Sequence, residues 1–214
     1  MMEKNFNEQE SLQLITEMIT RARSNFQRTS RRTTLLWGYI IAILALANFA
    51  LLYLLEGEER LSSYWVWALT FPLFIIHYLY EGRKAKKSLV KNHIDRMIGN
   101  LWLAFFVSCL IFIASVFTLS FGFGTRDVGV LYLSINPVIL TFTGLCMFVN
   151  GKLCRFHPFV IGGVVFWAGA LLSGVVLLIW PYQSLQFLVL SFAMIGGFII
   201  PGHLLNHKEE KQDV

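Results

Sequence analysis

The stretch LLWGYIIAILALANFALLYLL, from Leu35 to Leu55, decides how the rest of this chain is read. It contains no Asp, Glu, Lys or Arg. A helix rising 1.5 Å per residue needs about 20 apolar residues to cross about 30 Å of hydrocarbon. Lipid offers no partner to backbone N–H and C=O groups, so a run of this kind has to be helical. Residues 1 to 34 ahead of it hold four Glu, one Lys and five Arg, unlike the short basic start of a cleavable signal peptide. Leu35 to Leu55 is therefore expected to be an uncleaved signal anchor and the first of several membrane spans.

Working outward, further apolar runs follow near 62–80, 98–121, 128–149, 159–180 and 185–205, which with 35–55 makes six. The second is the weakest, because Pro72 lies inside it and Ser62 and Ser63 open it. Of the 214 residues, 56% are hydrophobic and only 14% charged, against about 25% charged in a soluble domain. Histidine aside, no charge falls between Leu61 and Tyr80, between Gly99 and Thr125, or between Phe156 and His207. The expected fold is all-α: a polytopic helical bundle over 35–205, preceded by a cytoplasmic amphipathic helix and basic linker over 1–34 and followed by a cytoplasmic tail over 206–214. Cys109, Cys146 and Cys154 form no CxxC pair or disulfide framework.

Orientation follows from the short extramembrane segments, since Lys and Arg are retained on the cytoplasmic side. Arg21, Arg23, Arg28, Arg31 and Arg32 precede the first span, whereas Glu56, Glu58, Glu59 and Arg60 leave the first loop net negative. The second loop carries Arg83, Lys84, Lys86, Lys87, Lys91 and Arg96; the third has only Arg126 and Asp127; the fourth has Lys152 and Arg155; the fifth is uncharged. Basic segments alternate with neutral or acidic ones, which predicts both termini in the cytoplasm. The net charge of +5 is thus explained by topology, and no nucleic-acid partner is expected. Spans two, four and six end in Glu81-Gly82-Arg83-Lys84, Asn150-Gly151-Lys152 and Pro201-Gly202-His203. Helix-stopping glycines beside basic groups account for this signature, with an ancestral three-hairpin duplication as the lesser alternative.

The most patterned polar piece is the N-terminal segment. Asn7 and Glu10 have capping-box spacing, and Leu12, Ile15, Ile19, Ala22 and Phe26 recur at intervals of three and four. Two heptads of seam are too short to stand alone, so residues 8–26 are expected to rest on a partner. A second copy of the chain, a cytoplasmic protein or the bundle itself is preferred over lipid headgroups, because Glu8, Glu10 and Glu17 disfavour an anionic surface. A second cytoplasmic helix over Ser88–Met97 is expected to run on into span three.

No span contains Asp, Glu, Lys or Arg, which argues against a carboxylate-coupled antiporter and against a voltage sensor. The intramembrane polar positions are Asn48, His77, Asn100 and Asn136, of which Asn48, His77 and Asn136 are the candidates for lining a solute path. The simpler role for each asparagine is an interhelical hydrogen bond. Cys154-x-x-His157 and the pair His203 and His207 lack a full four-ligand pattern, and interfacial histidines usually cap carbonyls or face water, so no metal is expected. No phosphate-cradling loop, HExxH, GxSxG or paired carboxylate occurs, so neither catalytic residues nor a cofactor are expected. Gly169 with Ser173, Ala170 with Gly174 and Ala193 with Gly197 have the spacing of close helix contacts, while Trp37, Trp65, Trp67, Trp102, Trp180 and Tyr182 read as interface anchors.

Four stretches, ESLQLITEMI from Glu10 to Ile19, IDRMI from Ile94 to Ile98 ahead of Trp102, FHPFVIGG from Phe156 to Gly163 and IPGHLLN from Ile200 to Asn206, resemble those of an uncharacterised bacterial family of small six-span membrane proteins. The resemblance implies a multi-pass protein of the bacterial inner membrane and transfers no catalytic or binding residue. Two functions are expected to compete. The first is a non-enzymatic sensor, scaffold or accessory subunit acting through its cytoplasmic face. The second is a transporter or channel subunit for a small neutral solute, built on Asn48, His77 and Asn136.

Overall fold

The computed structural model describes residues 8–55, 57–87, 93–123, 129–179 and 184–210. Every element among them is helical. In chain order they are α1 (Glu8–Leu54), a 3₁₀ segment (Gly57–Leu69), α2 (Thr70–Lys87), α3 (His93–Phe123), α4 (Gly129–Leu153), α5 (His157–Ile179), α6 (Ser184–Met194), a π turn (Ile195–Ile199) and α7 (Ile200–Glu210). Five stretches are long and apolar enough to cross a membrane: Arg31–Leu54, Arg96–Phe121, Leu131–Leu153, His157–Ile179 and Ser184–Leu205. These match five of the six predicted runs.

The predicted run 62–80 is the exception, and Pro72 gives the reason. Proline lacks a backbone N–H and clashes with the preceding turn, so it is accommodated at least cost in the first turn of a helix. The α-helix accordingly begins at Thr70, which places Pro72 in its first turn, and the residues before it wind as a 13-residue 3₁₀ segment. A 3₁₀ run of that length is unusual. It runs back along α1: Asn48 on α1 donates to the Ser63 carbonyl, and Trp37, eleven positions earlier, meets Phe74 and His77 at centroid distances of 5.9 and 5.8 Å.

The expected break between an N-terminal helix and a first span is absent. α1 is one helix of 47 residues, about 70 Å long at 1.5 Å per residue, with neither proline nor glycine before Gly38. The 23 residues from Glu8 to Ser30 extend about 35 Å beyond its membrane-length stretch. Asn7, the proposed cap, lies outside the described residues, as do the side chains of Ile15, Ile19, Ala22 and Phe26; Leu12 is exposed. The second expected cytoplasmic helix is seen only as the start of α3 at His93, since 88–92 also lie outside the described residues.

The three glycines read as helix stops do not stop helices. Gly82 lies inside α2, Gly151 inside α4 and Gly202 inside α7. Gly151 and Gly202 serve close packing instead: a Cβ on Gly151 would stand 2.6 Å from the Val160 nitrogen, and one on Gly202 would stand 2.7 Å from Leu35 Cδ2. The stop of α4 falls at Arg155, whose φ of 51° is left-handed. Phe156 N donates to Gly151 O at 2.9 Å and Arg155 N to Lys152 O at 3.2 Å, the paired bonds of a Schellman cap.

Within the bundle, the α6–α7 rod is the central element. In its membrane-length stretch 56% of residues are buried, against 17% for α3 at the periphery. Its Phe187, Leu190, Met194, Phe198 and Leu205 meet Phe159 and Phe166 of α5, Leu140 and Met147 of α4, and Ala42 and Ala45 of α1 in one apolar core. α4 and α5 meet backbone to backbone, where a Cβ on Gly163 would fall 2.8 Å from Gly144 O and 2.8 Å from Phe148 N. Small residues also join α5 to α6 and the π turn: a Cβ on Gly169 would be 3.1 Å from that of Ala193, as their spacing predicts, and one on Gly162 would collide with Gly197 O, whereas Gly174, also predicted to make a close contact, has nothing within 4 Å. In a membrane, where lipid tails are as apolar as leucine, such contacts hold helices together through close-range dispersion.

Candidate functional site

Asn48, His77 and Asn136 each meet a different partner. Asn48 is fully buried where α1 meets the 3₁₀ segment, and its Nδ2 donates to the Ser63 carbonyl at 2.7 Å. Asn136, also buried, sits a residue before Pro137 in α4 and donates from Nδ2 to the Gln186 carbonyl of α6 at 2.7 Å. His77 is half-buried on α2, its ring edge-on to Trp37 of α1. Each holds a different pair of elements together.

The α4–α6 contact contains a residue that the sequence reading missed. Gln186, 2% exposed, returns the bond from its own helix, Nε2 donating to Leu133 O at 3.0 Å. Two carboxamides thus cross-link the backbones of α4 and α6 in opposite directions. The Gln186 amide reaches Leu133 O one turn before Pro137, whose missing N–H frees that acceptor, and the Asn136 amide adds a second bond to Gln186 O in the first turn of α6. The signal was a glutamine one residue inside the predicted span 185–205.

At the basic end, Asn150 is 1% exposed and its Oδ1 accepts from the Cys154 thiol at 3.0 Å, which holds the turn into α5. Cys154 is buried while His157 is exposed, so the C-x-x-H spacing does not bring two ligands to one place. His203 pairs across to α1 at 2.8 Å between its Nε2 and the Tyr39 hydroxyl; the His207 side chain lies outside the described residues. Among the described residues no three His, Cys, Asp or Glu side chains are grouped to hold a metal. Asn100, at the start of the third span, is exposed.

The tryptophans are more engaged than interface anchors need to be. Trp37 packs on Phe74 and His77, Trp67 stacks on Phe187 at 5.9 Å, and Trp102 meets Phe198 at 6.0 Å. Trp65 alone of this group is widely exposed, at 76%, and Trp180 and Tyr182 lie outside the described residues. Beyond these contacts, three buried polar atoms have no hydrogen-bond partner among the described residues: Asn48 Oδ1, Ser173 Oγ and Ser191 Oγ.

The bundle therefore carries polar side chains as helix-to-helix ties and not as one converging constellation. Comparison with known proteins adds no assignment: no family model, no curated protein and no solved structure matches the chain.

Proposed function

We propose that this chain is a non-enzymatic, six-span protein of the bacterial inner membrane with both termini cytoplasmic, acting as a sensor, scaffold or accessory subunit through its N-terminal helix. The observation that carries this reading is the continuity of α1, which runs unbroken from Glu8 into its membrane-length stretch. Lying flat on headgroups would require a bend between the two parts, and sharp bends arise at proline, glycine or inserted groups, of which the sequence before Gly38 offers no proline or glycine. A projecting rod instead leaves the segment whose sequence carries Leu12, Ile15, Ile19, Ala22 and Phe26 available to a partner helix from a second copy or another protein. Leu12 and Leu14 are exposed at 64% and 44%, apolar surface that such a partner would cover.

Deleting residues 1–28 tests the proposal: the variant should keep its bundle but lose co-purifying partners or drop in oligomeric state by light scattering. Unchanged partners and unchanged mass would refute it.

Support for the sixth crossing comes from length. From Ser62 to Leu69 the 3₁₀ rise of about 2.0 Å per residue gives about 16 Å, and Thr70 to Tyr80 adds about 16 Å of α-helix, together close to the hydrocarbon thickness of about 30 Å. The contacts of this segment with α1 at Asn48 and Trp37 are those of an antiparallel hairpin.

A transport role is the second reading, favoured by the buried polar groups of α1, α4, α5 and α6. It is the weaker because Asn48 and Asn136 are each committed to holding a separate carbonyl. Replacing Asn48, His77 and Asn136 together and finding a solute-uptake phenotype unchanged would dispose of it.

A further inference from the structure

Asn48 and Ser191 are buried to 0% and 2% exposure, and each keeps one polar atom without a partner among the described residues. The two belong to one junction. Asn48 binds the carbonyl of Ser63; the next residue, Tyr64, lies against Phe187 of α6 with centroids 6.1 Å apart; and Ser191 is one helical turn beyond Phe187 on the same face. The antiparallel register of α1 on the last helix agrees. Leu35 meets Gly202 and Gly38 meets Phe198, which brings Ala45, a fully buried methyl, to the level of Ser191, one turn from Asn48.

The chemistry of the two orphan atoms is complementary. Because only an N–H can donate to the Ser63 carbonyl, that 2.7 Å bond fixes the Asn48 amide and leaves Oδ1 as a pure acceptor. Ser191 has a hydroxyl to donate. Four other span hydroxyls return to the carbonyl four residues back on their own helix: Ser115 to Ile111, Thr118 to Ala114, Thr141 to Pro137 and Thr143 to Ile139, at 2.7 to 2.9 Å. Ser191 does not, so its hydroxyl is turned away from the local acceptor that satisfies the others.

We propose that a single water molecule is bound between α1, the 3₁₀ segment and α6, donating one hydrogen to Asn48 Oδ1 and accepting the hydroxyl hydrogen of Ser191. Buried waters occupy sites that offer two to four polar partners, and this one satisfies both orphan atoms at once. Its consequence is structural: it ties the central helix to the same asparagine that anchors the returning 3₁₀ segment.

Water-edited solid-state NMR on perdeuterated, back-exchanged full-length protein in lipid bilayers tests this, with the Asn48 side-chain amide as the reporter. Magnetisation should pass from water to that amide in the native protein and in S191T, which keeps a hydroxyl, and should be lost in S191A with the backbone amide spectrum unchanged. No transfer in the native protein would overturn the proposal irrespective of the variants, as would transfer that survives in S191A. So would a Ser191 Cβ to Asn48 Cγ distance short enough for the two side chains to bond directly.

Discussion

At the residue scale, membrane placement changes what a polar side chain is worth. In water a buried hydrogen bond competes with a solvated unfolded chain, whereas interhelical bonds in bilayers average about 0.6 kcal/mol and reach about 1.7 kcal/mol. Asn136 and Gln186 each give their donor to the other helix's backbone, so removing either loses one interhelical bond while the second persists. Substituting Asn136→Leu or Gln186→Leu is expected to cost about 0.6 to 1.7 kcal/mol each, measured by reversible unfolding in mixed detergent micelles. Because the two bonds act on the same pair of helices, the double variant should deviate measurably from the sum of the singles. That such residues matter was visible for Asn136, which stands beside a proline in the middle of an apolar run. It was not visible for Gln186, because a polar residue at a span boundary reads the same whether it faces water or a neighbouring helix. Only the packing of α6 into the centre of the bundle separates the two.

At the element scale, glycine has two roles that sequence alone confounds. Gly82, Gly151 and Gly202 each stand before basic or imidazole groups near a span end, a pattern that also fits a C-cap, yet α4 stops at Arg155 through backbone bonds that need no glycine. What the spacing did disclose was the small-residue seam of α5 and α6, because that contact needs small side chains every fourth residue. Tolerance is expected to differ along α5, between Gly162 in the seam and Gly174 about three turns further on and outside it. Gly162→Ala would force a methyl onto the Gly197 carbonyl and should destabilise by about 1 to 3 kcal/mol, the usual cost of overpacking. Gly174→Ala meets no atom within 4 Å and should be neutral or stabilising by up to about 1 kcal/mol through helix propensity. Thermal unfolding of the two purified variants, compared with the native protein, checks the contrast. The rod of α1 is testable in the same way. Spin labels replacing the exposed residues Leu12 and Leu36 are 24 positions apart and should read about 36 Å if the helix is straight. Ser24→Pro, which breaks a helix interior at about 3 kcal/mol, should shorten and broaden that distance.

At the scale of the whole molecule, the number of crossings fixes which surfaces share a compartment, and everything turns on residues 57–87. Five membrane-length helices were legible because continuous apolar runs of 20 residues have one stable solution in lipid. The sixth run was legible as hydrophobic but not in its form, since hydropathy is blind to a change from 1.5 to about 2.0 Å rise per residue, and that change would lengthen the reach of a short segment. If the 3₁₀ segment and α2 together cross, Glu58 and Arg126 face the outer side while Lys86 and Lys211 face the cytoplasm. If they do not, Glu58 and Lys86 share the outer side and every later segment inverts, carrying Lys152 and Arg155 outward against the retention of basic residues inside. Single cysteines at Glu58, Lys86, Arg126 and Lys211, probed with a membrane-impermeant thiol reagent on intact cells, separate the two arrangements. Labelling at Glu58 and Arg126 alone is the outcome expected from six crossings, because only then do α1 and the end of α7, held side by side through Leu35 on Gly202 and Tyr39 on His203, present the N-terminal rod and the C-terminal tail to the same cytoplasmic partner.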